Sequence, residues 1–167
     1  AEGLVLPLSV EENILSLVLG KVSRHGFIRK KAVREEVDAG VKQLNIKVAS
    51  PRQAVQYLSG GNQQKIVFSK WIKTQPRILY LHEPTRGVDV QSKLEIYALI
   101  RELTRTGVSV VVFTSDILEL IGLSDEIYVM YEGEISGHIN GCDATEEKIM
   151  QFSAHGAKKS EKEGAVC

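Results

Sequence analysis

Leu58-Ser59-Gly60-Gly61-Asn62-Gln63-Gln64-Lys65 is followed one helix length later by the apolar run Ile78–Leu81, which ends in His82-Glu83-Pro84-Thr85. These two stretches decide the fold class. A serine and two glycines at the start of a helix offer a hydroxyl and unobstructed amides, where backbone N–H groups point outward and the macrodipole favours an anion. The apolar run reads as a short buried strand delivering a carboxylate, Glu83, at its C-terminal edge. In open α/β sheets ligands bind at that edge. Together the two elements point to phosphate chemistry. Each also has a plain structural reading: Ser59 as an ordinary helix cap, Glu83 as the close of a strand.

Downstream, the pattern alternates. Gly61–Lys73 reads as a helix burying Val67, Phe68, Trp71 and Ile72 and stopped before Pro76. Gln91–Thr106 reads as a helix with a buried stripe of Ile96, Leu99, Ile100 and Leu103, closed by Gly107. Val108–Phe113 is β-branched and nearly unbroken, as expected of a strand covered on both faces. A short helix over Ile117–Leu123 follows. Ile127–Tyr131, the turn Glu132-Gly133 and Glu134–Ile139 read as a hairpin, and Glu146–Phe152 as a last helix. Strand, helix, strand, helix, strand predicts a parallel α/β layer.

Upstream, Ser9–Leu58 reads as helical, with no β-rich segment. Ser9 and Glu12 form a capping-box pattern before Ile14, Leu15 and Leu17. Val33, Val37, Val41 and Leu44 keep one face of a second helix apolar, and Pro51 breaks it. These patterns divide the chain into a helical subdomain at 1–57, an α/β part at 58–155 and a polar, flexible tail at 156–167.

Composition limits the alternatives. At 167 residues and 43% apolar the chain has material for a core, so global disorder is excluded. The formal net charge is zero, which gives no basic excess for nucleic acid. Cys142 and Cys167 are too few and too poorly placed for a disulfide framework, and a reducing compartment is the simpler expectation. The apolar runs are far shorter than a membrane span. The chain opens on Ala1 rather than Met, and Glu2-Gly3-Leu4 reads as mid-domain text, so a piece of a longer protein is expected.

The octet at 58–65, at this distance before a strand ending in Glu-Pro-Thr, resembles the signature and Walker B segments of ATP-binding-cassette (ABC) ATPases. LSGGNQQK and the following Glu83–Val90, EPTRGVDV, are similar to the monosaccharide-importer branch of that family, in particular to the second nucleotide-binding half of ribose-, xylose- and galactose-type importers. Glu126–Glu134 with Gly137 resembles the end of the same half, so the likeness runs from about Gly3 to Phe152. The resemblance implies a partial P-loop NTPase lobe with a parallel sheet and a helical subdomain, without the N-terminal Walker A portion. No G-x-x-x-x-G-K-[ST] occurs in the 167 residues.

Roles follow from the resemblance alone. Ser59, Gly60, Gly61 and Asn62 would contact the γ-phosphate of ATP held by a second nucleotide-binding domain in a head-to-tail dimer. Glu83 would polarise the attacking water, and Asp89 would be the D-loop aspartate at the same interface; the plain structural reading of Asp89 is a turn former. Val5–Asn13 resembles the segment facing the membrane subunits. ATP and Mg²⁺ are the implied cofactors. The implied partners are a permease and, indirectly, a sugar-binding protein, with no nucleic acid. The implied location is peripheral, at the cytoplasmic face of the cell membrane.

Two positions depart from the family. His82 stands where an aspartate associates with Mg²⁺, a cation that takes hard oxygen ligands, whereas imidazole suits zinc, copper or nickel. A lone histidine at a strand end is more often packed in the core than a ligand, so no metal residue is assigned. Ser115 occupies the switch position usually held by histidine, which resembles the usual text of the second half in sugar importers. Three readings follow: an importer ATPase, a hydrolytically degenerate half that completes its partner's site, and a soluble ABC protein acting on nucleic acid. The neutral charge and the NQQK extension argue against the last.

Overall fold

The computed structural model describes residues 3–155, the side chain of His155 excepted. The expected tail at 156–167 lies outside the described residues. The chain forms two compact units that divide between Val112 and Phe113.

The first unit opens with α1 (Val10–Leu15), started by the expected capping box. Glu12 N–H donates to Ser9 Oγ, and Ser9 N–H donates to the Glu12 carboxylate at 2.8 Å. Buried Asn13 ties the preceding turn to this helix: its Oδ1 accepts from Val5 N–H at 2.9 Å, and its Nδ2 donates to Val5 and Ser9 carbonyls. A short α2 (Leu19–Val22) leads to a hairpin, β1 (Ser23–Arg24) and β2 (Phe27–Ile28), then α3 (Lys30–Gln43). The hairpin breaks the expected run of helix. His25 at φ 50° and Gly26 at φ 83° both adopt the left-handed conformation that a type I′ turn requires. A 3₁₀ turn at Val55–Tyr57 then delivers the chain to α4 (Gly60–Ile72).

From α4 the chain passes through β3 (Ile78–His82), α5 (Val90–Arg105) and β4 (Ser109–Phe113). β3 and β4 pair, and Ser109 N–H donates to Arg77 O at 3.0 Å, which joins the starts of the two strands and makes the pair parallel. The α/β layer is therefore as expected for its first two strands, but the expected third strand, at Ile127–Tyr131, pairs antiparallel in a separate two-stranded sheet, and the burial also differs. Ile78 is 52% exposed, Tyr80 67% and Val111 39%, because among the described residues this sheet is only two strands wide.

α4 packs on α1 and α5. Its buried face is Gly61, Lys65, Phe68 and Ser69 with Ile66, a stripe rotated from the expected one, and Trp71 stands 45% exposed. Hydropathy pointed to the wrong face because two of the inward residues are polar. Lys65 is buried with its ammonium paired to Glu95 and donating to Asn45 O at 3.1 Å. Along α5, Ile96, Ile100 and Leu103 are buried as expected.

The second unit holds α6 (Ile117–Leu123), the antiparallel hairpin β5 (Glu126–Tyr131) and β6 (Glu134–Asn140), and α7 (Glu146–His155). Glu132 at φ 48° and Gly133 at φ 86° make the expected tight turn. Its core is Ile127, Val129, Ile139 and Ile149, with Phe152 against it. Among the described residues no helix is long and apolar enough to cross a membrane.

Candidate functional site

Leu58 and Ser59 are extended, and the chain turns into α4 at Gly60. Ser59 is the N-cap: its Oγ accepts from Asn62 N–H at 3.5 Å and from Asn62 Nδ2 at 2.9 Å. The first-turn amides of Gly60 and Gly61 have no partner within the helix, and among the described residues they make no backbone bond outside it. Ser59 and Gly60 are exposed, whereas Gly61 is buried. The result is a small donor cradle facing outward.

Two glycines let a second helix N-terminus approach the first. A Cβ at Gly60 would lie 3.1 Å from Gly87 O, and one at Gly61 would lie 2.1 Å from Ser92 Oγ. Gly87 itself sits at φ 74°, in the turn that redirects the chain toward α5. Asp89 caps α5: its Oδ1 accepts from Ser92 N–H at 2.9 Å and its Oδ2 from Ser92 Oγ at 2.8 Å. The Ser92 N–H, with the Ser92 hydroxyl second, holds the Asp89 carboxyl below its ordinary pKa. Asp89 is thus a helix cap beside the Ser59 turn, and the position 3.8 Å from a Gly61 Cβ brings the two sequence-predicted elements together.

Behind the cradle, Asn62 Oδ1 accepts from Lys47 N–H at 2.8 Å, and Lys65 reaches Asn45 O and Glu95. The hydrogen bond from Lys65 lowers the Glu95 pKa against the opposing effect of burial. Sequence reasoning missed Lys47, Asn45, Ser92 and Glu95. Nothing in their own identity marks them; the one available signal was Asn45, whose type tolerates the left-handed φ of 47° it adopts.

Glu83 follows β3 at φ 46°, a left-handed conformation uncommon for a residue with a Cβ. Its carbonyl accepts from Arg86 N–H at 3.2 Å, and Pro84 and Thr85 are buried behind it. Such backbone strain, on the order of 1–3 kcal/mol, persists where the surroundings over-determine it. His82 is exposed at the end of β3, not packed in the core as a lone histidine usually is. With Trp71, Tyr80 and Phe68 it lines an apolar groove of about 450 Å³. Ser115 belongs to the second unit, exposed in the link before α6.

The donor set fits the terminal phosphate of a nucleotide: an exposed hydroxyl and the exposed first amide of the helix at Gly60, with Gly61 set deeper beside Ser92. It does not fit Mg²⁺. Among the described residues no three His, Cys, Asp or Glu side chains converge, and the imidazole of His82 is a poor partner for a hard cation.

No protein-family model matches the chain. Solved structures align with it closely. A dimeric ATP-binding cassette in a post-hydrolysis state bound to ADP and Pi superposes with a TM-score of 0.69 over 82% of this chain and 58% of its own, at 24% identity. An inward-facing ABC transporter does so at 0.72 over 89% of this chain and 59% of its own, at 15% identity. The fold is that of part of an ABC ATPase cassette. Sequence narrows the likeness within the cassettes. The ribose import ATP-binding protein RbsA of Bacillus subtilis is 48% identical over 155 residues, 93% of this chain and 31% of its own length. RbsA 2 of Agrobacterium fabrum is 45% identical over 154 residues. A Geobacillus kaustophilus protein named for ribose, galactose and methyl galactoside import is 44% identical over 151. These sugar-import ATP-binding proteins are homologues of the chain, which spans about a third of their length, 31% for the first.

Proposed function

We propose that this chain is the C-terminal part of the second nucleotide-binding domain of an ATPase that energises import of a monosaccharide. The observation that carries the reading is homology over 93% of the chain to ribose import proteins. The protein would work at the cytoplasmic face of the membrane with ATP and Mg²⁺. Its partners would be a second nucleotide-binding domain, a permease and, through the permease, a sugar-binding protein.

In this reading Ser59 and the amides of Gly60 and Gly61 hold the terminal phosphate of ATP bound on the opposite domain, and Asn62, whose N–H and Nδ2 are given to Ser59 Oγ, lies beside them. Glu83 accepts a hydrogen bond from the attacking water and orients it in a dry site. Asp89, at the start of α5, transmits the state of that interface. Closing the dimer around the phosphate is the step that moves the permease, and hydrolysis releases it. Any Mg²⁺ bound with the nucleotide draws its ligands from groups other than those described here.

The test is Ser59→Arg in the full-length ATPase. Transport should be abolished while the open form keeps its ATP affinity, because initial binding uses the phosphate loop of the opposite domain. A tenfold or larger loss of that affinity, about 1.4 kcal/mol, would overturn the role in trans.

His82 favours a second reading, a catalytically degenerate half whose signature completes the partner's site. Exposed at the end of β3, it brings no oxygen ligand to the metal edge. Here His82→Asp should raise single-turnover hydrolysis at this half's own site when the other is blocked, since charge neutralisation supplies much of phosphoryl-transfer catalysis. An unchanged rate removes His82 as the cause, with Ser115 the next position to change.

A further inference from the structure

A hydroxyl has one proton to give and two lone pairs with which to accept. At Ser59 both lone pairs face donors from one residue, the backbone N–H of Asn62 at 3.5 Å and its Nδ2 at 2.9 Å. The Asn62 carboxamide has no freedom to turn the other way. Its far end meets Lys47 N–H at 2.8 Å, which can only donate, so Oδ1 must lie there and Nδ2 must face Ser59. The Ser59 proton is therefore the one hydrogen-bonding function left, on an exposed residue, and among the described residues it donates to no group.

We propose that Asn62 is a positioning residue: its side chain fixes the Ser59 hydroxyl as an outward donor and does not itself touch the phosphate. The inference rests on the reading that Ser59 meets a terminal phosphate. An anion offers only acceptors, so a hydroxyl presented lone pair first would repel it, and one presented proton first makes a short charge-assisted bond. The orientation is set from the helical part of the unit, because the loop Asn45–Lys47 holds Oδ1 through Lys47 N–H and is itself held by Lys65 at Asn45 O. A displacement of that loop would release the carboxamide and with it the direction of the hydroxyl.

Asn62→Asp and Asn62→Ala separate this from a merely structural role, measured in the full-length ATPase. Aspartate keeps an oxygen for Lys47 N–H but places a second, ionised oxygen against Ser59, which draws the O–H inward. Alanine removes the clamp and leaves the hydroxyl free to rotate. The expected order is that Asp lowers kcat by roughly tenfold or more, the scale of one hydrogen bond to a charged group, and Ala by less. KM for ATP should change little, since initial binding lies elsewhere. Lys47 amide exchange should stay slow in the Asp variant and quicken in the Ala variant.

If Ala is the more damaging change, Asn62 is a structural clamp and the proposal fails. A double variant with Ser59→Ala excludes simple repulsion of ATP. Once the hydroxyl is gone, Asn62→Asp should cost nothing further, and a loss that persists there also overturns the proposal. Should Ser59→Ala alone leave kcat unchanged, the phosphate contact of Ser59 fails, and the inference falls with it in a recognisably different pattern.

Discussion

A Cβ added at Gly61 would stand 2.1 Å from Ser92 Oγ and 2.6 Å from Ser92 Cβ, well inside contact distance, whereas one at Gly60 would meet only Gly87 O at 3.1 Å. Gly61→Ala should therefore destabilise the chain by about 1–3 kcal/mol, the usual cost of forcing atoms into a packed site, despite the better helix propensity of alanine. Equilibrium denaturation should show it, and Ser92→Gly in the same chain should restore most of the loss. Full destabilisation in the double variant would mean the cost comes from the turn rather than from Ser92. Ser59, Gly60, Gly61, Glu83 and Asp89 could be singled out from the sequence because their types suit a phosphate-binding helix start, a strand end and a turn. Lys47 and Ser92 could not: Lys47 takes part through its main-chain N–H, and Ser92 through a close packing contact with Gly61 and hydrogen bonds to Asp89 that the sequence alone does not place.

At the scale of elements, the hairpin of the second unit rests on one glycine. A Cβ at Gly137 on β6 would come within 2.3 Å of the Phe152 ring on α7. The ring packs against bare backbone there and against the cluster of Ile127, Val129, Ile139 and Ile149. Gly137→Ala should cost about 1–3 kcal/mol, and most of that cost should vanish in a Phe152→Ala background, a coupling measurable by a double-mutant cycle. Additive losses would place the strain elsewhere. This hairpin and the helix Ile117–Leu123 were legible because turn residues and alternation agree. The β1–β2 hairpin was not, since two-residue strands carry no periodicity and the His25-Gly26 turn alone distinguishes them. The buried face of α4 was misread for a different reason: Lys65 and Ser69 point inward, where hydropathy places Val67 and Trp71.

For the whole molecule, the alternation of strand and helix was enough to give the α/β class, and the octet at 58–65 was enough to give the cassette. How much of the sheet is covered was not, because burial depends on what lies against a strand and the strand's own residues report only that they are apolar. Since these 167 residues include no glycine-rich phosphate loop, the chain by itself should show no ATP hydrolysis above background. Calorimetry should detect no micromolar ATP binding, the level of about 8 kcal/mol, and a clear isotherm at that level would mean that the donor cradle binds nucleotide unaided. The groove between α4 and β3 has another consequence. The chain has one tryptophan, Trp71, and it stands 45% exposed there beside Tyr80. Its indole emission is a built-in optical reporter: any chain segment or partner that covers this face shifts the fluorescence to the blue, and assembly can be followed with no label attached.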